Sequence, residues 1–164
     1  MEATQEQADV KQPWTREDLV IVPMQAENAA DAITQLGARL QMGGFVKDSW
    51  VQATIEREKA FATGLPIPGI GVAIPHTDAE HVLRQTIAVG VLERPVAFGE
   101  MGNPDSMVPV RIVCALAVAH SESLIIMLQQ LVEIFQRPDV LSQIAEAQSP
   151  AEIVAVFERH LHIG

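Results

Sequence analysis

Apolar residues recur along the chain in two rhythms. In the first they run together with little interruption, as in Leu19–Met24 (LVIVPM), Gly71–Ile74 (GVAI), Ile87–Leu92 (IAVGVL) and Arg111–Val118 (RIVCALAV). Runs this short and this continuous predict strands covered on both faces by helices. Val96–Phe98 is a shorter strand candidate. In the second rhythm the apolar positions fall three and four apart. Asn28 is placed to cap a helix with Ala29, Ile33, Leu36 and Leu40 on one face, which Gly43–Gly44 ends. Asp48 or Ser49 caps a second helix running to about Ala62, closed by Gly64 and Pro66. Gly64–Gly71 (GLPIPGIG) and Gly99–Asp105 (GEMGNPD) read as loops. Ser121–Phe135 is the clearest helix, with Leu124, Leu128, Leu131 and Phe135 spaced by four, three and four. Pro138 breaks it, and helices over Val140–Ala147 and Pro150–His160 follow, the last opened by a serine–proline start. Together these elements predict an α/β fold, a mixed, mostly parallel sheet of about five strands with helices on both faces.

Composition narrows the function. Of 164 residues 48% are hydrophobic, enough for a real core, and only 4% are aromatic, so Ala, Val, Ile and Leu do the packing. Eleven basic residues against 21 acidic give a net charge of −10, which repels nucleic-acid phosphates and anionic lipid heads and favours a basic protein partner. The single cysteine, Cys114, rules out an internal disulfide and a cysteine zinc cage. It lies inside an apolar strand and is expected to be buried. No apolar run approaches the roughly 20 residues of a membrane span. The start, MEATQEQADVKQP, has neither the basic nor the apolar region of a signal peptide. A loose tail over residues 1–13, one domain over 14–164 and a cytoplasmic location are the expectations. Trp14 and Trp50 are expected at helix edges, and the Leu124–Leu131 stripe in the core.

The candidate chemistry lies with five histidines. His160 and His162, near the carboxyl end, are expected on the surface. Pro75 removes a backbone donor and ends the strand before it, leaving His76 at the carboxyl end, where ligands collect in open α/β sheets. His120 mirrors it after the strand ending at Val118. If those strands are parallel neighbours about 4.8 Å apart, the two imidazoles can face one another. Alternatively, His120 serves a turn.

Two chemistries compete. His76, Asp78, His81 and His120 are all metal-ligand types, but the five-residue spacing of His76 and His81 does not match the i, i+4 zinc-protease pattern. The other is nucleophilic. If a backbone carbonyl fixes the Nδ1 proton of a neutral imidazole, Nε2 is free to attack phosphorus. Arg57, Thr63, Thr77, His120 and the amides after Pro75 are candidate donors for the phosphoryl oxygens. Arg57 otherwise reads as a solvated helix-face residue and Thr63 as a helix-end cap. Asp78 and Glu80 would repel a phosphoryl group and are expected to point away or to cap the turn. This chemistry requires an imidazole that is uncharged, uncovered and close to Arg57 and His120.

Ile55-Glu56-Arg57-Glu58, Phe61-Ala62-Thr63-Gly64-Leu65-Pro66 and Val72-Ala73-Ile74-Pro75-His76 closely resemble the type-2 enzyme IIA components of the bacterial phosphoenolpyruvate:sugar phosphotransferase system, the fructose/mannitol/nitrogen superfamily. The resemblance spans roughly residues 17–160. Trp50-Val51-Gln52-Ala53, Leu92–Phe98, Met101-Gly102, Leu128–Leu131 and Phe135–Asp139 look most like the galactitol branch. The resemblance implies a phosphotransferase/anion-transport-protein-like fold and places the phosphorylated histidine on His76, a second active-site histidine on His120 and the active-site arginine on Arg57. It implies that His76 accepts a phosphoryl group from phospho-HPr and passes it to a cysteine of the cognate IIB component, and through it to IIC, with no metal or organic cofactor. A regulatory protein phosphorylated at His76, and a metal-dependent hydrolase using His76, His81 and His120, are the alternatives.

Overall fold

A computed structural model describes residues 14–161. The expected N-terminal tail and His162 lie outside these residues. Five strands, β1 (Val20–Met24), β2 (Gly64–Leu65), β3 (Gly71–Ala73), β4 (Thr86–Glu100) and β5 (Asn103–Ala117), form one mixed sheet. Five α-helices surround it: α1 (Ala29–Met42), α2 (Trp50–Ala60), α3 (Ser121–Phe135), α4 (Pro138–Ala145) and α5 (Pro150–His160). Short 3-10 turns stand at Glu17–Leu19 and Ala79–His81.

Strand alternation sorts the core into two layers. Ile87, Val89 and Val91 of β4, with Ile112, Cys114 and Leu116 of β5, face α3, α4 and α5. Ala88 and Leu92, with Val113, Ala115 and Ala117, face α1 and α2. A residue slipped by one place would exchange layers, so register is strongly fixed. Each fully buried Leu, Ile or Phe contributes roughly 1.5–3 kcal/mol.

Three strand pairings, β1–β4, β2–β4 and β3–β5, are parallel, and two, β2–β3 and β4–β5, are antiparallel. The expected mixed sheet with helices on both faces is therefore present. The sequence reading divides β4 into two strands and makes a loop of Gly99–Asp105. In the structure β4 and β5 are 15-residue strands of one long hairpin. The polar stretch Glu93–Pro95 falls where the register shifts between Val91 and Val96, and Arg111 Nε donates to the Leu92 carbonyl at 2.8 Å there. The turn itself is short, with Gly102 at φ +79°, a conformation that favours glycine.

Local signals at helix ends hold in part. Asn28 accepts from the Asp31 amide at 2.8 Å as the cap of α1. Ser49 precedes α2 without capping it, because its hydroxyl instead meets His81 Nδ1 at 2.8 Å. Pro138 both ends the run of α3 and opens α4, where its missing N–H is harmless. Trp50, expected at a helix edge, is completely buried at the start of α2.

Candidate functional site

β3 runs parallel to β5 with Ala73 beside Val113, and Leu116 donates its N–H to the Pro75 carbonyl at 2.9 Å. The two strands are thus neighbours whose carboxyl ends share one sheet edge, as the histidine placement anticipates. His76 lies one residue past the Pro75 anchor. His120 lies four residues past Leu116, within about 14 Å of extended chain. It is exposed and precedes α3, with no side-chain capping bond to that helix.

The His76 ring is fixed by its own strand. Nδ1 stands 2.8 Å from the Ile74 carbonyl oxygen. A carbonyl only accepts, so Nδ1 carries the proton and Nε2 holds the lone pair when the ring is neutral. His76 is only 9% exposed, which corrects the expectation of an uncovered imidazole. Burial pushes its pKa below the ordinary imidazole value, and the Arg57 charge adds to that. The Ile74 carbonyl and Asp78 pull in the opposite direction.

Arg57 sits in the last turn of α2, half-exposed. Its Nη1 atom is 3.8 Å from Asp78 Oδ1, and its guanidinium lies 5.3 Å from the centre of the Phe61 ring. Its Nε is buried without a hydrogen-bond partner. The structure therefore brings Arg57, Asp78 and His76 into one electrostatic group. Asp78 points to Arg57 rather than capping the short turn after it.

Thr63 is buried and takes neither of its anticipated roles. Its hydroxyl donates to Glu58 Oε1 at 2.8 Å and accepts from the Ile74 N–H at 3.1 Å. Its amide donates to Glu58 Oε2, also at 2.8 Å. Burial pushes the Glu58 carboxyl above its ordinary range, while the two Thr63 donors and Arg57 pull it back. Sequence reasoning did not single out Glu58 for a role. The signal was there: it follows Trp50 and Thr54 at four-residue steps, on the helix face that proves buried.

His81 is half-buried and engaged with Ser49. Among the described residues no group of three or more His, Cys, Asp or Glu stands close enough to hold a metal ion. Exposed apolar side chains near the elements of the site are Phe61, after α2, and Ile125 and Ile126, on α3. Leu131 of the α3 stripe is buried, and Leu124 and Leu128 pack against the same core layer. None of the helices among these residues is long and apolar enough to cross a membrane.

The profile of the phosphoenolpyruvate-dependent sugar phosphotransferase system, EIIA 2, matches residues 14–160. The chain belongs to this family. As an EIIA protein it is a phosphotransferase component that works as a phosphohistidine relay. This EIIA is 31% identical over 112 residues to the galactitol-specific EIIA component of Escherichia coli (strain K12), a match covering 68% of this chain and 74% of that protein. Its fold matches enzyme IIAMTL of Escherichia coli, solved in complex with phosphorylated enzyme IIBMTL, with a TM-score of 0.71 at 23% identity over 88% of this chain and 96% of that one. The nitrogen regulatory protein IIA-Ntr from Neisseria meningitidis shares the fold with a TM-score of 0.67, at 24% identity over 87% of this chain and 95% of that one.

Proposed function

We propose that His76 is the phosphorylated residue, taking its phosphoryl group from phospho-HPr and passing it to the cysteine of a cognate IIB component that feeds a IIC transporter. The bond from Nδ1 of His76 to the Ile74 carbonyl carries this reading, because it leaves Nε2 as the nucleophile. The Nε2 lone pair forms the new P–N bond as the donor's P–N bond breaks, and the electron pair returns to the donor imidazole. In the second transfer the IIB thiolate attacks phosphorus and the electron pair returns to Nε2.

Phosphoryl transfer mainly needs positioning and charge on the equatorial oxygens. Arg57 is placed to supply that charge, since its field already reaches His76. His120 and the first amides of α3 follow the end of β5, the strand beside β3, and would add the positive end of that helix to the charge on the phosphoryl group. Thr63 contributes by position rather than as a phosphoryl donor, because its proton is directed to Glu58. The sugar is of the galactitol type by likeness to the galactitol-specific relative. A IIB partner is supported by the IIA–IIB complex among its fold relatives. The cytoplasm, where such carriers meet, is the proposed location.

Incubation with phosphoenolpyruvate, enzyme I and HPr, followed by intact-protein mass spectrometry at neutral or alkaline pH, tests the reading. One phosphoryl group is expected on the wild type and none on His76→Gln. An unlabelled wild type, beside another IIA labelled in parallel, overturns it. Acceptance of the group by a purified galactitol-type IIB separates a transport role from control of another partner protein.

A further inference from the structure

We propose that Glu58 is a positioning residue for His76, acting through Thr63 and the backbone of Ile74 to hold the imidazole in its Nδ1-protonated form. The inference rests on His76 being the phosphoryl acceptor. The ladder of β3 ends at Ala73, and residue 75 is a proline with no N–H. β5 holds the next carbonyl, that of Pro75, through the Leu116 N–H, which leaves the Ile74 N–H, just before the carbonyl that holds the His76 ring, to be anchored separately. Thr63 supplies that anchor: its hydroxyl oxygen accepts the Ile74 N–H at 3.1 Å.

The direction of this chain is set by proton counting. A hydroxyl has one proton and two lone pairs. The Ile74 N–H occupies one lone pair, so the hydroxyl proton is free for an acceptor, and Glu58 Oε1 takes it at 2.8 Å. Glu58 Oε2 takes the Thr63 N–H at the same distance, which fixes residue 63 from both sides. Across the Ile74 Cα, in the next peptide unit, the Ile74 carbonyl accepts His76 Nδ1–H at 2.8 Å, so residue 74 is held at both its N–H and its C=O. The exposures of Glu58, Thr63, Ile74 and His76 are 9%, 4%, 1% and 9%, so water is poorly placed to substitute for any link. A glutamine at position 58 has one acceptor oxygen for two donors. If its oxygen keeps the Thr63 N–H, its NH2 donates to the Thr63 hydroxyl oxygen instead of accepting from it, and the hydroxyl proton loses its acceptor; turned the other way, the Thr63 N–H meets the NH2 group.

The experiment compares Glu58→Gln, Thr63→Val and Thr63→Ser with wild type. Ile153→Val serves as a control for general loss of stability, since Ile153 is a buried core residue of α5 that takes no part in the Glu58–Thr63–Ile74 hydrogen bonds. Ring 15N shifts of His76 in histidine-labelled protein give the tautomer population, and single-turnover transfer from phospho-HPr gives the rate. Glu58→Gln and Thr63→Val are expected to reduce the Nδ1-protonated fraction and to slow transfer by about 10- to 100-fold, the scale of a misplacement near 1 Å. Thr63→Ser, which keeps the hydroxyl, restores both, and Ile153→Val changes neither at a comparable fall in melting temperature.

Wild-type tautomer and rate in both Glu58→Gln and Thr63→Val overturn the proposal. So does a Thr63→Ser variant as slow as Thr63→Val, or an equal slowing in Ile153→Val. If Thr63→Val fails to fold, Glu58→Gln and Thr63→Ser still decide. The tautomer readout does not need phosphorylation, so an unphosphorylated wild type would refute the functional reading while the ring shifts still judge the clamp.

Discussion

Arg57 and Asp78 face each other at 3.8 Å and act on the His76 imidazole with opposite signs. Replacing one should therefore move the His76 titration in a defined direction. Arg57→Gln removes a neighbouring positive charge and is expected to raise the His76 pKa. Asp78→Asn removes the opposing negative charge and is expected to lower it. Histidine resonances followed by NMR across pH check both shifts, and movement of both variants in one direction would refute this electrostatic grouping.

The same depressed pKa links His76 to stability. As pH falls through the ordinary imidazole value of about 6.5, the unfolded chain takes up the proton before the folded one. The contribution of His76 to stability is thus fully present above about pH 6.5 and is lost as pH falls toward the folded-state pKa. Urea midpoints at pH 7.5 and 5.5 should fall further for wild type than for His76→Gln. An identical drop in the two proteins would mean that His76 is not held neutral by burial.

Removing the His120 ring tests a different point on the reaction path. If it meets the phosphoryl group chiefly in the transition state, His120→Ala slows transfer by about a hundredfold while leaving HPr affinity near wild type. Its exposed position argues that stability changes little. Single-turnover rates and calorimetric binding separate the two effects, and equal losses in both would contradict this role.

Gly71 pairs with Val110 at the start of β3, and a Cβ at that position would run into the Pro109 carbonyl oxygen. Gly71→Ala should push β3 away from β5 at a cost of about 1–3 kcal/mol. Because β3 leads to His76, the phosphorylation rate should fall with stability. Denaturant unfolding and a phosphorylation time course measure the two, and a fully stable variant would show that the strand can shift without loss.

Cys114 lies wholly inside the sheet, and burial pushes its thiol pKa up to about 12. Alkylating reagents at pH 8 are expected to leave it unmodified in the folded protein and to label it in denaturant. Mass spectrometry after a timed reaction reads the difference, and rapid labelling without denaturant would place the thiol outside the core.

The layer architecture was legible because continuous apolar runs and helical spacing report burial directly. Val72, Ile74 and the run from Ile112 to Val118 announced covered strands, and Asn28 announced a helix start. The β4–β5 hairpin was not legible as one unit, because Glu93, Arg94 and Pro95 interrupt its hydrophobic run. A strand that bulges where it meets solvent looks like two strands and a loop. At the site, strand ends pointed to His76 and His120 as a pair, and the parallel β3–β5 register brings those ends to one edge. The clamp beneath His76 was hidden because hydrogen bonds between positions 58, 63 and 74 depend on how the chain turns after α2. Local rules for capping gave Thr63 other uses, and only tertiary contact decides among them.

The Leu116–Pro75 hydrogen bond ties the segment before His76 to a strand made much later in the chain. A growing polypeptide that has emerged only through β3 already carries His76 and Arg57, but lacks the neighbour that anchors the loop. The surroundings of His76 described above are therefore complete only once β5 has been threaded into place.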